Sequence, residues 1–416
     1  MKAMQNDMVD NGTLKVVCTT LNNIPIKDVD VSIYVEGEQT DKIEELVTDS
    51  TGQTEEVELE APPVELSLDR ENIIQPYSEY TLMIQAEGYE PVNISGVEIL
   101  SGEQAVQNIR LRPVQQQDYG NAYVIPAHTL YGDYPPKIAE DEIKPQNISG
   151  EIVLSKVVVP EYIVVHDGPP ADSSANDYYV LYKDYIKNVA SCEIYATWPE
   201  EAIKANVLAI MSFTLNRVYT EWYRNKGYNF TITSSTAYDH KWVNNRNIYD
   251  SISRVVDGIF NQYLSRPNVK QPILTQYCDG QRVLCPGWLA QWGSKELSDS
   301  GYSAIQILRN YYGDSIYINT AEQISGVPIS YPGYSLDIGS TGSKVRQIQQ
   351  QLDRIAEVYS NIPRIDADGI FGEKTKAAVR AFQKTFDLPQ TGVIDFATWY
   401  KISQIYVGVT RIAELG

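Results

Sequence analysis

Histidine is scarce in this sequence. Three occur in 416 residues, His128, His166 and His240, and no two are neighbours, so no histidine-built metal cluster is visible. Cysteine is nearly as rare. Cys18, Cys192, Cys278 and Cys285 are too few for a disulfide scaffold, and only the last two lie close, with six residues between them. That spacing leaves a disulfide, a metal pair and two free thiols open, because the second pair of a structural zinc site is missing. Basic residues are outnumbered, 34 against 54 acidic ones, for a net charge of −20. The balance argues against nucleic-acid partners and against electrostatic adsorption to anionic membranes. No apolar run is long enough to span a bilayer. The opening "MKAMQNDMVDNGTLKVV" lacks the apolar core of a secretory signal, so no signal peptide is expected. Neither a cofactor nor a metal is expected.

Tyrosine is what the chain has in excess, 30 against 7 phenylalanines. Rings that keep a hydroxyl suit wet, amphipathic surfaces. Carbohydrate contact is one use of them and ordinary interface packing is another. A hydrophobic content of 43% with 21% charged residues belongs to a folded chain, and 416 residues suit two to four domains.

Three rhythms follow one another, and together they predict a multidomain α+β protein. Over residues 1–113 the period is two. "DVDVSIYV" alternates Val29, Val31, Ile33 and Val35, and "YTLMIQAEGYEPV" alternates Tyr80, Leu82, Ile84 and Ala86, with turns at "DSTG" and Gly88. This predicts an antiparallel β-sandwich. Residues 114–160 have poor periodicity and carry "QQQDYGN", "GDYPPK" and "AEDEIKPQ", which read as an exposed linker that wraps or is cut. Residues 161–325 are the central α+β domain. From 333 to 410 the helical period returns, with stripes at Val345, Ile348, Leu352 and Ile355, at Ala378, Val379 and Phe382, and at Trp399, Ile402 and Ile405. Ser343 is the expected N-cap of the first of these three helices. The turn "DADGIFG" lacks the later ligands and closing glutamate of a calcium loop.

The central segment holds "VASCEIYATWPEEAIKAN", with three glutamates in nine positions. Glu200 and Glu201 follow Pro199 at a helix start, where acidic residues complement the helix dipole. That helix continues through Ile203, Val207, Ile210, Met211, Leu215 and Val218. Glu193 is different. It ends a shorter pattern of Tyr185, Val189 and Cys192, and no basic residue stands three or four positions away. Among such apolar neighbours an acid–base role is open to it.

Three resemblances bear on that role. "GTLKVVCT", "IPIKDVDVSI" and "YTLMIQAEGYEPV" resemble the transthyretin or carboxypeptidase-regulatory sandwiches, which carry no catalytic residue. "LDIGSTGSKVRQIQQQL", "DADGIFGEKTKAAVRAFQ" and "TGVIDFATW" resemble the type 1 peptidoglycan-binding module, which implies a wall glycan as ligand. "DYIKNVASCEIYATWPEEAIKANVLAIMSFTLNRV" resembles the core of the stage II sporulation protein D family, with Asn206 where that family usually has glutamine. "ITSSTAYDHKWV" and "ILTQYCDGQRVLCPGWLAQWGS" follow the same order more loosely.

The last resemblance implies a lytic transglycosylase whose essential glutamate is Glu193, with substrate contacts on Thr236, Asp239, Tyr277 and Trp292. The family can carry a metal near the two cysteines. This stretch has no histidine of its own, and His240 is the one that folding would have to bring there. The whole order resembles the spore cortex-lytic enzymes of the SleC type. It implies a zymogen located in the cortex or coat region of the bacterial spore, activated at germination by a subtilisin-like protease cutting near Lys156, Val157 and Val158. A muramyl–peptide amidase, a glycosidase using water and a non-catalytic wall-binding protein are the other readings.

Overall fold

The computed structural model describes residues 9–37, 42–114, 121–144, 154–328 and 330–410. Period-two sequence folds into β1 (Asp10–Thr20), β2 (Asp30–Val35), β3 (Lys42–Val47), β4 (Val57–Ala61), β5 (Ser78–Gln85), β6 (Val92–Ile99) and β7 (Gln104–Leu111), with a one-turn helix α1 (Glu65–Leu68). Two sheets face each other. One places β1 between β4 and β7, and the other runs β3-β2-β5-β6 with β8 (Asn121–Val124) at its edge. Leu14, Val16, Val31, Ile33, Leu82, Ile84 and Ile94 point between them and are buried, as alternation requires.

The purely antiparallel expectation is corrected. β1 pairs with β7 in parallel, Thr13 opposite Gln104, and β6 pairs with β8 in parallel, Val92 opposite Asn121. The chain returns to the first sheet at β4, antiparallel to β1, and again at β7, running the same way as β1, which local patterning does not reveal.

The linker expectation also changes. The parts at 115–120 and 145–153 lie outside the described residues. The rest is not an exposed connection: His128, Thr129, Leu130, Tyr134, Lys137 and Lys144 are all buried. Several are held by groups far away in sequence, the His128 N–H by the Tyr77 hydroxyl and Lys137 by the Thr236 and Asp239 carbonyls, so no local period marks them.

The central region begins with β9 (Val158–Val159), β10 (Tyr162–His166) and β11 (Asp177–Leu181), followed by helix α2 (Tyr182–Glu193) and the twenty-residue α3 (Glu200–Tyr219). α3 is buried on nearly every face, so it forms the axis of this region rather than an amphipathic cover. Glu201 accepts the backbone N–H of Ala304, which supports its structural reading. Around α3 lie β12 (Ile232–Thr233), β13 (Ile248–Tyr249), α4 (Asp250–Ile259), β14 (Gln262–Ser265), β15 (Tyr277–Cys278), β16 (Leu289–Ala290), α5 (Gln291–Asp299), α6 (Ala304–Tyr312), β17 (Tyr317–Thr320) and β18 (Gln323–Ile324). The C-terminal helices are α7 (Ser343–Ala356), α8 (Glu373–Thr385) and α9 (Phe396–Thr410). Their expected stripes are buried, except that Ile405 is only partly covered. Gly342, not Ser343, occupies the N-cap of α7, and no side chain caps it. No helix among the described residues is long and apolar enough to cross a membrane.

The sandwich and the central region share a sheet. β13 pairs antiparallel with β7, Ile248 opposite Val106. Beside this seam Arg246 forms a buried ion pair with Glu98 of β6, while Ser251 donates to Glu103 at 2.7 Å. Burial raises both carboxyls from 4.5 to about 7, Glu98 against the opposing Arg246 charge. The folded state therefore holds these protons longer than the unfolded chain does. The resulting stability is fully present below about 4.5 and is lost as pH rises through about 7. Chemical unfolding at pH 5.5 and pH 8 should give the higher stability at the lower value. A Glu98→Gln/Glu103→Gln double variant should flatten that difference.

Candidate active site

Glu193 is the last residue of α2, where the Ile194 N–H closes the helix on the Ala190 carbonyl at 3.0 Å. Its side chain turns inward and is fully buried. The Lys241 backbone N–H donates to Oε1 at 2.8 Å. Gln291, at the start of α5, donates through Nε2 to the Glu193 carbonyl at 3.0 Å and to Oε2 at 3.3 Å. The carboxylate is thus held by one main-chain and one side-chain donor.

Among the described residues, four carboxylate side chains have 0% exposure: Glu98, Glu193, Asp239 and Asp279. Three of them pair with an arginine, Glu98 with Arg246, Asp239 with Arg217 and Asp279 with Arg282. Glu193 has no ion pair among the described residues. A buried charge without a counter-charge costs stability unless its hydrogen bonds compensate.

The pocket around Glu193 is phenolic. Burial pushes Tyr134, Tyr185 and Tyr277 well above the ordinary phenol range, and in each case the Glu193 charge adds to the effect. All three therefore remain protonated at any physiological pH. His240 lies against the same wall, its ring stacked on Tyr277 with centroids 5.7 Å apart and its Nδ1 hydrogen-bonded to the Tyr185 hydroxyl at 3.0 Å. Burial, with Lys137 and Arg217 nearby, holds His240 well below 6.5 and so neutral. The Lys137 ammonium sits over the Tyr277 ring at 4.6 Å and donates to the Thr236 carbonyl at 3.1 Å and to the Asp239 carbonyl. Burial lowers its pKa from 10.5, against the pull of Glu193 and Asp239.

The other expected residues fall as follows. Tyr277 lines the pocket, and Thr236 borders it through the backbone. Asp239 is inside but occupied: Arg217 donates to it at 2.7 Å, the Tyr223 hydroxyl at 2.6 Å, and the Thr233 N–H and hydroxyl at 2.9 and 2.7 Å. Trp292 is buried against Trp198 at 5.0 Å and Tyr195 at 6.2 Å. Cys278 and Cys285 form a disulfide, which resolves the open cysteine question and withdraws two thiolates from any metal set. Of the expected cleavage residues, Lys156 is exposed and Val157 is buried, and Val158 lies in β9, which runs parallel to β18. Gln291, Tyr134 and Lys137 escaped the sequence reading. Gln291 lay within the quoted "LAQWGS", whereas nothing local marked the other two.

Comparison with known proteins divides the chain. Residues 177–265 match the family described as "Stage II sporulation protein", and residues 341–402 match "Putative peptidoglycan binding domain". A zinc D-Ala-D-Ala carboxypeptidase from Streptomyces albus G is 39% identical over 71 residues, 17% of this chain and 27% of that protein. The match thus spans about a quarter of that relative's length. Among solved structures, the SleB N-terminal domain aligns at 26% identity, covering 18% of this chain and 99% of that one with a TM-score of 0.17. The Bacillus anthracis TIE protein aligns at 16% identity over 25% of this chain and 17% of that one, TM-score 0.18.

Replacing Gln291 by Leu removes a donor from a buried carboxylate. The expected loss is ~1–3 kcal/mol in denaturant unfolding. It should shrink in a Glu193→Gln background, since the two side chains share one interaction.

The chain therefore carries a segment similar to the stage II sporulation protein family, with Glu193 inside it, followed by a segment similar to a peptidoglycan-binding domain.

Proposed function

We propose that the protein is a zymogen of a spore cortex-lytic enzyme, a lytic transglycosylase that cleaves the bond between N-acetylmuramyl and N-acetylglucosaminyl residues during germination. The observation that carries this reading is the fully buried Glu193, which has hydrogen-bond donors but no ion pair among the described residues, in the segment matched to the sporulation family.

A lytic transglycosylase needs one such group, whereas ordinary glycosidases use two carboxylates. The Glu193 acid gives its proton to the glycosidic oxygen as the bond from that oxygen to muramyl C1 breaks. The muramyl C6 hydroxyl then attacks C1, and its proton passes to the Glu193 carboxylate, which restores the acid. No water is consumed. The nucleophile is already part of the sugar, which gives the intramolecular step its proximity advantage. Gln291 and the Lys241 N–H would orient the carboxylate through both proton transfers.

On this reading the helical segment from about residue 333 holds the enzyme on insoluble wall, and the partners are cortex peptidoglycan and an activating subtilisin-like protease. Cleavage near Lys156–Val158 would separate the sandwich and linker from the central region. The site of action would be the cortex or coat region of the spore.

Product analysis tests the reaction. Mass spectrometry of cortex fragments released by the activated protein should find anhydromuramyl ends. New reducing ends would mean a glycosidase using water, freed peptide an amidase, and no cleavage a wall-binding protein. Glu193→Gln should lower turnover by ~10²–10⁴-fold while leaving sedimentation with wall unchanged. Retention of more than about a tenth of wild-type turnover would refute the acid–base role. A chain truncated before about Gly333, shown to be folded, should lose cosedimentation with cortex while still acting on soluble fragments.

A further inference from the structure

The described linker from Thr129 to Lys144 forms a strap across the end of α2. The Thr129 N–H donates to the Cys192 carbonyl at 3.3 Å, and the His128 ring stacks on Tyr195 at 4.5 Å. Beyond Lys137 the strap is bonded at alternate residues, as an extended chain is. Ile138 donates to the Ala237 carbonyl at 2.8 Å, and the Leu274 N–H donates to the Glu142 carbonyl at 2.8 Å. Two buried glutamines act as surrogate peptide groups. Gln276 donates to the Ile138 carbonyl at 2.7 Å and accepts the Glu140 N–H at 2.9 Å. Gln271 accepts the Lys144 N–H at 2.7 Å and donates to its carbonyl at 3.3 Å.

Two carboxylates project from this run, and each meets an arginine fork. Arg217 reaches Glu140 at 3.0 and 2.6 Å, and Arg266 reaches Glu142 at 2.7 Å through both Nε and Nη2. Arg282 clasps the Thr129 carbonyl at 2.7 Å and also reaches the Gly132 carbonyl. A chain of net charge −20 thus gathers three arginines along one run of residues. Bidentate forks of this kind select planar carboxylates.

We propose that Tyr134–Lys144 occupies the substrate groove as an internal stand-in for a carboxylate-bearing glycan–peptide strand, Glu140 and Glu142 filling arginine seats that take substrate carboxylates once the strap is displaced. The inference rests on the peptidoglycan reading of Glu193. Its steric basis is direct. Protonating a glycosidic oxygen requires that oxygen within about 3 Å of the acid, and the Lys137 ammonium is held on the Asp239 carbonyl, two residues before the Lys241 N–H that binds that carboxylate. Strap and sugar exclude each other. Arg266 is the more available seat, with 23% of its side chain exposed where Arg217 has none.

The test uses the full chain in a Glu193→Gln background, so that no turnover consumes the probe. The probes are a soluble disaccharide–tripeptide with free carboxylates and the same molecule amidated. Two strap variants, Glu140→Gln/Glu142→Gln and Ile138→Pro, should each raise hydrogen exchange at the Glu140 and Lys144 amides and tighten binding of the carboxylated probe at least tenfold. The carboxylated probe should bind these variants about tenfold better than the amidated one, and Arg266→Gln should remove that preference. Unchanged exchange in both variants would show that the arginine seats do not hold the strap and would overturn the proposal. So would equal affinity in intact and loosened chains, equal affinity for the two probes, or a preference that survives Arg266→Gln. Failure of the enzyme reading looks different: selective binding in the Glu193→Gln chain, with no cortex fragment released by the activated protein that retains Glu193, keeps the groove and loses the catalysis.

Discussion

The Arg217 guanidinium organises the central region. It is fully buried on α3, stacked over Phe213 at 4.9 Å and near the Trp222 and Tyr223 rings. One edge fixes Asp239 and another holds Glu140. Asp239 in turn binds Thr233 and Tyr223 and precedes His240 and Lys241, whose N–H holds Glu193. A buried charge satisfied on every side costs little, whereas one that loses a partner costs several kcal/mol. Loop, strap and acid are therefore set by one cation. The ordering makes chemical sense, since a proton-transfer group must be placed to within a fraction of an ångström.

This network also explains what the sequence reveals and what it hides. Period-two strands, the helical stripes of α7 and α8 and the helix start at Pro199 are local properties, and they are legible. The apolar setting of Glu193 is legible too, because its neighbours are apolar and no basic residue stands within a helical turn. Lys137 is not. A lysine in "GDYPPK" reads as solvent-facing, and its burial depends on carbonyls at Thr236 and Asp239, about a hundred residues away. The same holds for Gln271 and Gln276, whose task is to pair with backbone rather than to pack. Long-range polar pairing leaves no periodic trace, while hydrophobic burial does. The parallel pairings of β1 with β7 and of β6 with β8 were hidden for a related reason. Strand direction is set by how the chain travels between sheets, not by alternation within a strand.

The sandwich is joined to the rest of the chain at several points rather than hung from it. β13 extends its sheet, Arg246 crosses into β6, and Lys15 pairs with Asp387 at 2.8 Å near the end of α8. A freely tethered spacer would have no need of a shared strand. The Arg246–Glu98 contact buries charge, and buried ion pairs are poor sources of stability. They are better suited to fixing one arrangement among several, and a fixed sandwich keeps the entry of the strap in register above α2.

The tethering geometry sets what a single cut near Lys156 would accomplish. The strap would still be joined to β8 at its N-terminal side, and β8 to the sandwich, so while β13 keeps the sandwich docked the displacement would remain a competition within one complex. On the proposed reading, anchoring of the strap at both ends before cleavage would give it a high effective concentration over the groove and so exclude a soluble ligand. After cleavage one anchor is gone, and each exposed amide and carboxylate can exchange its partner for water or substrate in turn. Wall-bound substrate is also present at high local concentration if the C-terminal helices hold the chain there. Release by competition then needs only a modest difference between strap and substrate, not complete removal of the sandwich. An anionic strap is well matched to that task. Its carboxylates satisfy the arginines as the substrate's would, so the groove keeps its folded geometry while it is closed.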